Sequence, residues 1–241
     1  MGIARPNRNL ALNLTQRRGL RIFFCIGLLN LLWQSCPAAD PDAVLSSWLS
    51  AQTNLHTWTA DFTQTRSLKT LTQPLVATGH IWFATPNRFR WELGSPAKTV
   101  ALRNANDLFV IYLRLKRAEK YPLGGSASGE WRDMLSLLDA GFPRDRADFD
   151  SRFQVLSVTE TNGAWQLTLQ PKSAFARKMM SELRIGLATN TFDLRSTELV
   201  FVDGSRMRND FTHAVLNPKF DERMFDWTPP PDYKVTEPLQ K

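Results

Sequence analysis

The chain has 241 residues, of which 43% are hydrophobic and 22% are charged, a balance typical of a globular protein and not of a disordered one. Its formal charge is +7, but five arginines precede residue 40, where there is no acidic residue, so the rest of the chain carries only +2. Because phosphate binding needs clustered cations, this distribution argues against a nucleic-acid-binding protein.

The first predicted element is an export signal over residues 1–39. A positive stretch around Arg17-Arg18 precedes the apolar run Ile22–Trp33, and small residues follow just before Asp40. A membrane-spanning helix would need about 20 apolar residues, which is more than this run offers. We therefore expect residues 1–39 to be cleaved on export to a periplasm, and residues 40–241 to form a single domain.

Both cysteines, Cys25 and Cys36, lie in that segment. The exported chain would then have no cysteine for a disulfide, a metal site or a nucleophile. The alternative hypothesis is that Cys36 is a lipid-attachment site. The protein would then be a membrane-anchored acceptor. The residues Trp33-Gln34-Ser35 before it are a poor match to the small and aliphatic residues expected there, so we favour soluble export.

A helix is predicted after the signal, and strands follow it. Asp40-Pro41 is a typical helix N-terminus, and apolar residues at helical spacing continue to about Gln52. Alternating apolar and polar residues then predict strands. The predicted strand ranges are 58–63, 75–84, 88–93, 99–103, 108–115, 153–161, 164–170, 183–187, 194–202 and 207–215.

The remaining segments predict a hinge, a second helix and a loose tail. Gly124–Gly129 matches neither a P-loop nor a Gly-x-Ser-x-Gly elbow, so we interpret it as a flexible hinge. Apolar residues at helical spacing predict a helix over 130–140. Residues 175–180 are ambiguous, 221–224 predict a helical turn, and the polar tail from Asp232 is expected to fray.

The order of elements predicts a mainly β fold, which is α+β in the strict sense. Turn signals at short intervals, with Asn162-Gly163 the strongest, favour antiparallel pairing over a parallel sheet with crossover helices. No internal repeat and no long linker divides residues 40–241. We expect about ten to eleven antiparallel strands in one unclosed barrel, with helices covering a hydrophobic cavity.

The sequence offers no catalytic or metal-binding motif. His56, His80 and His213 have no second histidine or carboxylate at the spacing of metal ligands. Acidic residues such as Asp61 and Glu92 are interpreted as surface or turn carboxylates. We therefore expect no enzyme, no metal and no cofactor.

Apolar surface, in contrast, is abundant. From residue 40 onwards the chain has 7 tryptophans and 13 phenylalanines, and the stretch Gly79–Trp91 carries several of them on two predicted strands. Most of these side chains are expected to fill a β core. One sheet with few helices can nevertheless leave room for an apolar ligand, as incompletely filled barrels do.

Five short motifs resemble the LolA family of periplasmic outer-membrane lipoprotein carriers, in order and with similar spacing. They are Phe62-Thr63-Gln64, Gly79-x-x-Trp82, Pro86-Asn87-x-Phe89-x-Trp91, Leu169-Gln170-Pro171-Lys172 and Phe225-x-x-Thr228-Pro229-Pro230. The resemblance implies an unclosed β-barrel with helices over its mouth. It also implies a monomeric carrier that takes lipoprotein acyl chains from an inner-membrane ABC transporter to an outer-membrane acceptor.

The resemblance also suggests where a ligand would bind. Phe89 and Trp91 match the family's strand at the cavity mouth, and residues 134–138 match its lid helix. The residues that we expect to line the cavity or its lid are Trp58, Phe62, Trp82, Phe89, Trp91, Phe109, Ile111, Leu113, Met134, Leu135 and Leu138.

One position departs from the family pattern. Where well-studied members have an arginine that holds the lid shut, this chain has Thr85. Either Arg88 or Arg90 takes over that role, or the lid is held differently, or the cargo is another lipid. A sensing or regulatory domain of the same fold, with a protein partner, is the alternative function.

Overall fold

The computed structural model describes residues 40–123 and 140–238. The predicted export signal and most of the predicted helix over 130–140, including Met134, Leu135 and Leu138, lie outside the described residues.

Three α-helices and twelve strands make up the described part of the chain. The helices are α1 (Pro41–Gln52), α2 (Arg146–Arg152) and α3 (Ala174–Met179), and 3-10 turns span Leu113–Leu115 and Glu222–Phe225. The strands are β1 (Thr57–Ser67), β2 (Leu75–Ala84), β3 (Arg88–Leu93), β4 (Thr99–Arg103), β5 (Asp107–Tyr112), β6 (Arg117–Pro122), β7 (Phe153–Thr161), β8 (Ala164–Pro171), β9 (Met180–Ala188), β10 (Leu194–Phe201), β11 (Arg206–Leu216) and β12 (Lys234–Thr236).

The described strands form one sheet that does not close on itself. Their order is β12-β6-β5-β4-β3-β2-β1-β11-β10-β9-β8-β7, so β12 and β7 are its two edges. Neighbours pair antiparallel except β12, which runs parallel to β6. The predicted mainly β, unclosed architecture is confirmed, with one or two more strands than expected.

Two sequence predictions about local structure are wrong, and one helix has no counterpart among the predictions. The strand predicted over 108–115 ends at Tyr112, because Lys116 takes a left-handed conformation (φ 49°) and the chain turns into β6, which the alternation did not reveal. Helix α2 was not predicted. The tail does not fray at Asp232, since Lys234–Thr236 pairs with β6.

Helix α1 begins as the sequence indicates. The Asp40 carboxylate accepts a hydrogen bond from the Asp42 backbone N–H (3.0 Å), and Pro41 occupies the first turn. Its buried face includes Trp48, which is fully buried and meets Phe149 of α2 edge to face at 6.0 Å. An Arg146–Asp42 ion pair (3.0 Å) joins the two helices at the surface.

The sheet buries side chains on both of its faces. The larger core lies on the face that α1 covers, which we term the inner face. It draws side chains from all three helices and from nine of the strands from β1 to β11. The smaller core lies on the opposite, outer face and consists of Val100, Leu102, Phe109, Ile111 and Ala118. Trp227 and Tyr233 pack over this outer core, which explains why the C-terminal segment is ordered.

Replacing Trp227 with alanine tests that explanation. The Trp227 ring contacts those of Phe109 (5.3 Å) and Tyr233 (5.6 Å), so its removal should lower the free energy of unfolding by up to about 3 kcal/mol. Urea denaturation followed by circular dichroism measures the loss. Val215→Ala, at a side chain that is 49% exposed, is the matched control and should change stability little. Equal stability of both variants would show that the C-terminal segment is not anchored through Trp227.

Candidate functional site

An apolar cavity of about 240 Å³ lies on the inner face of the sheet. Its walls come from β1 to β4 on one side and from β9 to β11 on the other, and residues 141–142 cross it. The lining residues are Gln64, Ile81, Trp91, Leu93, Thr99, Ala101, Gly141, Phe142, Leu183, Leu194, Thr197, Leu199, Met207, Asn209 and Phe211. The cavity is larger than the ~150 Å³ engineered void that stays dry and binds benzene.

A glycine positions the aromatic wall of this cavity. The Phe62 ring lies against Gly79 of the neighbouring strand, where an added Cβ would overlap with the ring and with the Glu92 carbonyl oxygen. Because Gly79 has no side chain, Phe62 can lie flat there and meet the Trp91 ring at 4.4 Å. Phe211 contacts both rings, at 6.5 and 6.2 Å, which completes the wall.

Phe142 separates this cavity from its neighbours. Its ring stacks on Phe83 (4.1 Å, 14° between planes) and contacts Trp58 at 5.1 Å. It lines the apolar cavity, a small void of about 40 Å³ beside Trp58, and an open groove of about 640 Å³ between α1 and residues 142–146. The side chain of Phe142 therefore acts as a partition between the cavity and solvent-exposed space.

The backbone at this partition is tied to α1. Gln52 donates a side-chain hydrogen bond to the Gly141 carbonyl (3.0 Å), and Gly141 itself packs closely against Leu194. The backbone before Phe142 is therefore held by one side-chain hydrogen bond, and the Phe142 ring by its contacts with Phe83 and Trp58.

A short polar ladder crosses the otherwise apolar wall. Gln64 donates from its amide nitrogen to Asn209 Oδ1 (3.0 Å), and Asn209 Nδ2 donates to Thr197 Oγ1 (3.2 Å). Gln64 and Asn209 are buried, at 8% and 5% exposure. Each amide nitrogen carries a second N–H, and the Thr197 hydroxyl can also donate. A ligand carbonyl in the cavity could accept these hydrogen bonds.

Four of the predicted site residues lie on the inner face. Trp91 lines the cavity, and Phe62 supports it from behind. Trp58 borders the small void and contacts Phe211 at 5.3 Å. Phe89 belongs to the inner core, paired in register with Phe83, but does not reach the cavity wall.

Four others lie elsewhere in the fold. Trp82 is on the outer face, where its ring meets that of His80 at 4.1 Å. Phe109 and Ile111 are buried in the outer core, and Leu113 packs against that core from the 3-10 turn. Their predicted role as cavity residues therefore has no support from their positions.

The three predicted gate residues lie in two different places. Thr85 lines the open groove and donates from its hydroxyl to the His56 carbonyl (3.3 Å). Arg88 forms an ion pair with Glu222 (2.9 Å), and Arg90 donates to the Met224 carbonyl (3.2 Å). Both arginines thus hold the 3-10 turn at Glu222–Phe225, on the other side of β3 from the cavity.

Asp61 lies on the outer face with two histidines, which the sequence spacing did not reveal. It contacts Nδ1 of His80 (2.7 Å) and Nδ1 of His213 (3.0 Å), and these hydrogen bonds lower the pKa of the Asp61 carboxyl. Within residues 40–123 and 140–238, no group of three or more histidine, cysteine or acidic side chains is arranged to hold a metal ion.

Several lining residues were not predicted. Leu183, Leu199 and Met207 belong to strands whose alternation was recognised, but alternation alone does not say which face meets a cavity. Phe142 follows Gly141 in a segment without periodicity. The only local signal for a role of Phe142 is that this bulky apolar residue lies between Gly141 and Pro143.

A comparison with protein-family models identifies the relationship. The model for "Outer membrane lipoprotein carrier protein LolA" matches residues 53–228, which is well over half of the chain and includes every residue that lines the cavity. The chain belongs to the LolA family.

Solved structures similar to this LolA-family protein have low sequence identity. An uncharacterized conserved protein from Thermus thermophilus has a TM-score of 0.48 and 8% identity, covering 81% of this chain and 98% of its own. A putative outer membrane lipoprotein-sorting protein domain from Vibrio parahaemolyticus has a TM-score of 0.44 and 10% identity, and the match covers 76% of this chain and 95% of that domain. A LolA superfamily protein from Nitrosomonas europaea has a TM-score of 0.42 and 10% identity, and the match covers 77% of this chain and 97% of that protein. A search of curated proteins found no match.

Replacing Gly79 with alanine should disturb the aromatic wall. The new methyl group must displace either the Phe62 ring or the backbone of β3, and such overpacking costs about 1–3 kcal/mol. Urea denaturation measures the change in the free energy of unfolding. Thr78→Ala, one residue earlier in the same strand and exposed, is the control. A Gly79 variant as stable as this control would contradict the proposed close packing.

Replacing Phe142 with alanine should join the cavity to the groove. We expect a lower free energy of unfolding, by about 2–3 kcal/mol, together with several-fold tighter binding of long fluorescent fatty acids, since the partition is gone. Fluorescence titration with probes of increasing chain length measures the effect. Phe109→Ala removes the same ring from the outer core and should destabilise without changing binding. Unchanged binding by the Phe142 variant would argue against a partition.

Proposed function

We propose that this LolA-family protein is a non-enzymatic lipid carrier of the cell envelope. It binds the acyl chains of lipoproteins, or of another lipid, in the apolar cavity and carries them between membranes. The observation that supports this proposal is the cavity itself, an apolar space walled by Trp91, Leu199 and Phe211 inside a sheet that does not close.

The energetics of the cargo explain why such a cavity is needed. Leaving one acyl chain of about sixteen carbons in water costs roughly 12 kcal/mol, at ~0.8 kcal/mol per CH₂. A carrier must offset this cost and still release its cargo. Binding through apolar contacts and a movable partition satisfies both needs, because no covalent bond has to be made or broken.

The size of the cavity indicates how the protein would load. At about 240 Å³ it is smaller than the ~300–1,000 Å³ of typical ligand sites. Rotation of the Phe142 ring would connect it to the groove of about 640 Å³ beside α1. Loading of a longer acyl chain would therefore require Phe142 to move.

The polar ladder would fix the depth of the ligand. An acyl chain in a lipid is attached through an ester or amide, whose carbonyl accepts hydrogen bonds. The spare N–H groups of Gln64 and Asn209 would meet that carbonyl within the cavity. The chain would then lie along the apolar wall formed by β9–β11.

The proposal includes a route from the inner to the outer membrane. Residues 1–39 would direct export and be removed, and the carrier would pass from an inner-membrane ABC transporter to an outer-membrane acceptor. No helix in the part of the chain that the structure describes is long and apolar enough to cross a membrane.

Lipid extraction from the purified protein tests the proposal. Protein isolated from the envelope of cells that express the whole sequence should contain acylated cargo, detected by native mass spectrometry. Leu199→Trp fills the cavity with a larger apolar side chain and should reduce the bound fraction at least tenfold. Leu156→Trp, at an exposed position (46%) on β7, is the matched control and should retain the cargo.

Thermal melting of both variants separates loss of binding from loss of folding. The expected result is a folded Leu199 variant without lipid. A wild-type protein that is free of lipid and does not bind fluorescent fatty acids would refute the carrier function, as would full lipid occupancy in the Leu199 variant.

A further inference from the structure

One end of the sheet exposes a group of apolar side chains, which we term the apolar tip. Their exposed fractions lie between 45% and 62%, far above those of the core residues. The apolar tip consists of Leu71 (45%), Leu75 (51%), Val76 (62%), Met179 (45%) and Val202 (59%).

Backbone pairing shows that the β1–β2 and β10–β11 connections share this end of the sheet. Ser67 is paired with Arg206, and the Lys69 N–H donates to Ser205 Oγ (3.3 Å). The Val202 N–H donates to the Met179 carbonyl (3.2 Å), which adds the end of α3. The apolar tip is thus built from three separate chain segments.

Cations surround the apolar tip. Arg66, Lys69, Lys178 and Arg206 are exposed, and none of them forms an ion pair with a residue that the structure describes. The nearby carboxylate of Asp203 accepts hydrogen bonds from the Ser205 N–H (2.8 Å) and hydroxyl (3.0 Å), and these bonds, together with the charge of Lys69, lower its pKa. The rim of the apolar tip therefore carries a net positive charge.

We propose that the apolar tip docks onto an anionic lipid surface. Apolar side chains inserted at the acyl boundary, with lysines and arginines at headgroup level, are the combination that binds peripheral proteins to such membranes. Two of the four rim cations are lysines, which are depleted at protein interfaces. Arg66, Lys178 and Arg206 form no ion pair with a described residue, which favours the phosphate groups of lipid headgroups as their partners.

Docking would also orient the cavity. Met207 lines the cavity and is paired with Arg66 at the rim, and Leu199 is paired with Met207 on the next strand. The end of the cavity nearest to the apolar tip would thus face the membrane. The docking proposal goes beyond the carrier function and does not depend on it, because the surface can bind lipid headgroups whether or not the cavity is loaded.

Flotation with unilamellar vesicles tests the proposal. Protein from the envelope of cells that express the whole sequence, with its mass measured to establish whether the N-terminal segment is present, should float with vesicles of phosphatidylethanolamine and phosphatidylglycerol. It should not float with vesicles of phosphatidylcholine alone. High salt should weaken the binding, since the attraction of the rim cations is screened.

Two sets of variants separate the apolar and the charged contributions. Leu71→Ser with Val76→Ser, and Lys69→Glu with Lys178→Glu, should each reduce vesicle binding about tenfold or more. The matched controls lie at the opposite end of β1 and β11 or on other exposed surface. They are Val215→Ser with Leu216→Ser (both 49% exposed) and Arg195→Glu with Lys219→Glu, and they should bind as the wild type does.

Two results would overturn the proposal. One is equal vesicle binding by the tip variants and their controls. The other is a dimer in sedimentation velocity that the tip variants abolish, together with no binding to vesicles, because the apolar tip would then be an interface between copies of this chain. Lipid extraction from the same variants keeps failure of docking distinct from failure of the cavity.

Discussion

The architecture depends on how an unclosed sheet keeps its inner face out of water. A closed barrel has no free edge, and its side chains meet across the interior. Among the strands that the structure describes, β7 and β12 form the two edges, so helices and loops cover what these strands do not. Helix α1, with Trp48 fully buried, and the segment around Phe142 provide this cover. The cavity is the space that they leave.

Local features of the sequence support this arrangement at several points. Gly79 allows the Phe62 ring to lie across a neighbouring strand and meet Trp91. Asp40 caps the covering helix, and the polar ladder satisfies buried amides that would otherwise be costly on an apolar wall. Arg88 and Arg90, on the other side of the sheet, anchor the C-terminal turn and contribute to stability, not to the cavity.

The sequence predicted the strands better than it predicted the site. The bounds of β2, β3 and β4 follow directly from alternation and turn residues, and the rings of Phe62 and Trp91, both predicted as cavity residues, are in contact. Phe109 and Ile111 could not be placed, because alternation shows that two residues share a face but not which face. The outer face of β5 is covered by Trp227, more than one hundred residues later. Phe142 lies in a segment without any periodicity, so only the folded structure shows its position.

The position of Phe142 has a consequence for the interior volume of this protein. Changing the sheet would disrupt the pairing of many strands. One side chain in a loop, Phe142, in contrast separates the apolar cavity from the open groove. The volume of the interior can therefore be changed without altering the pairing of any strand. A smaller or larger side chain at position 142 would change that volume and the local packing against Phe83 and Trp58.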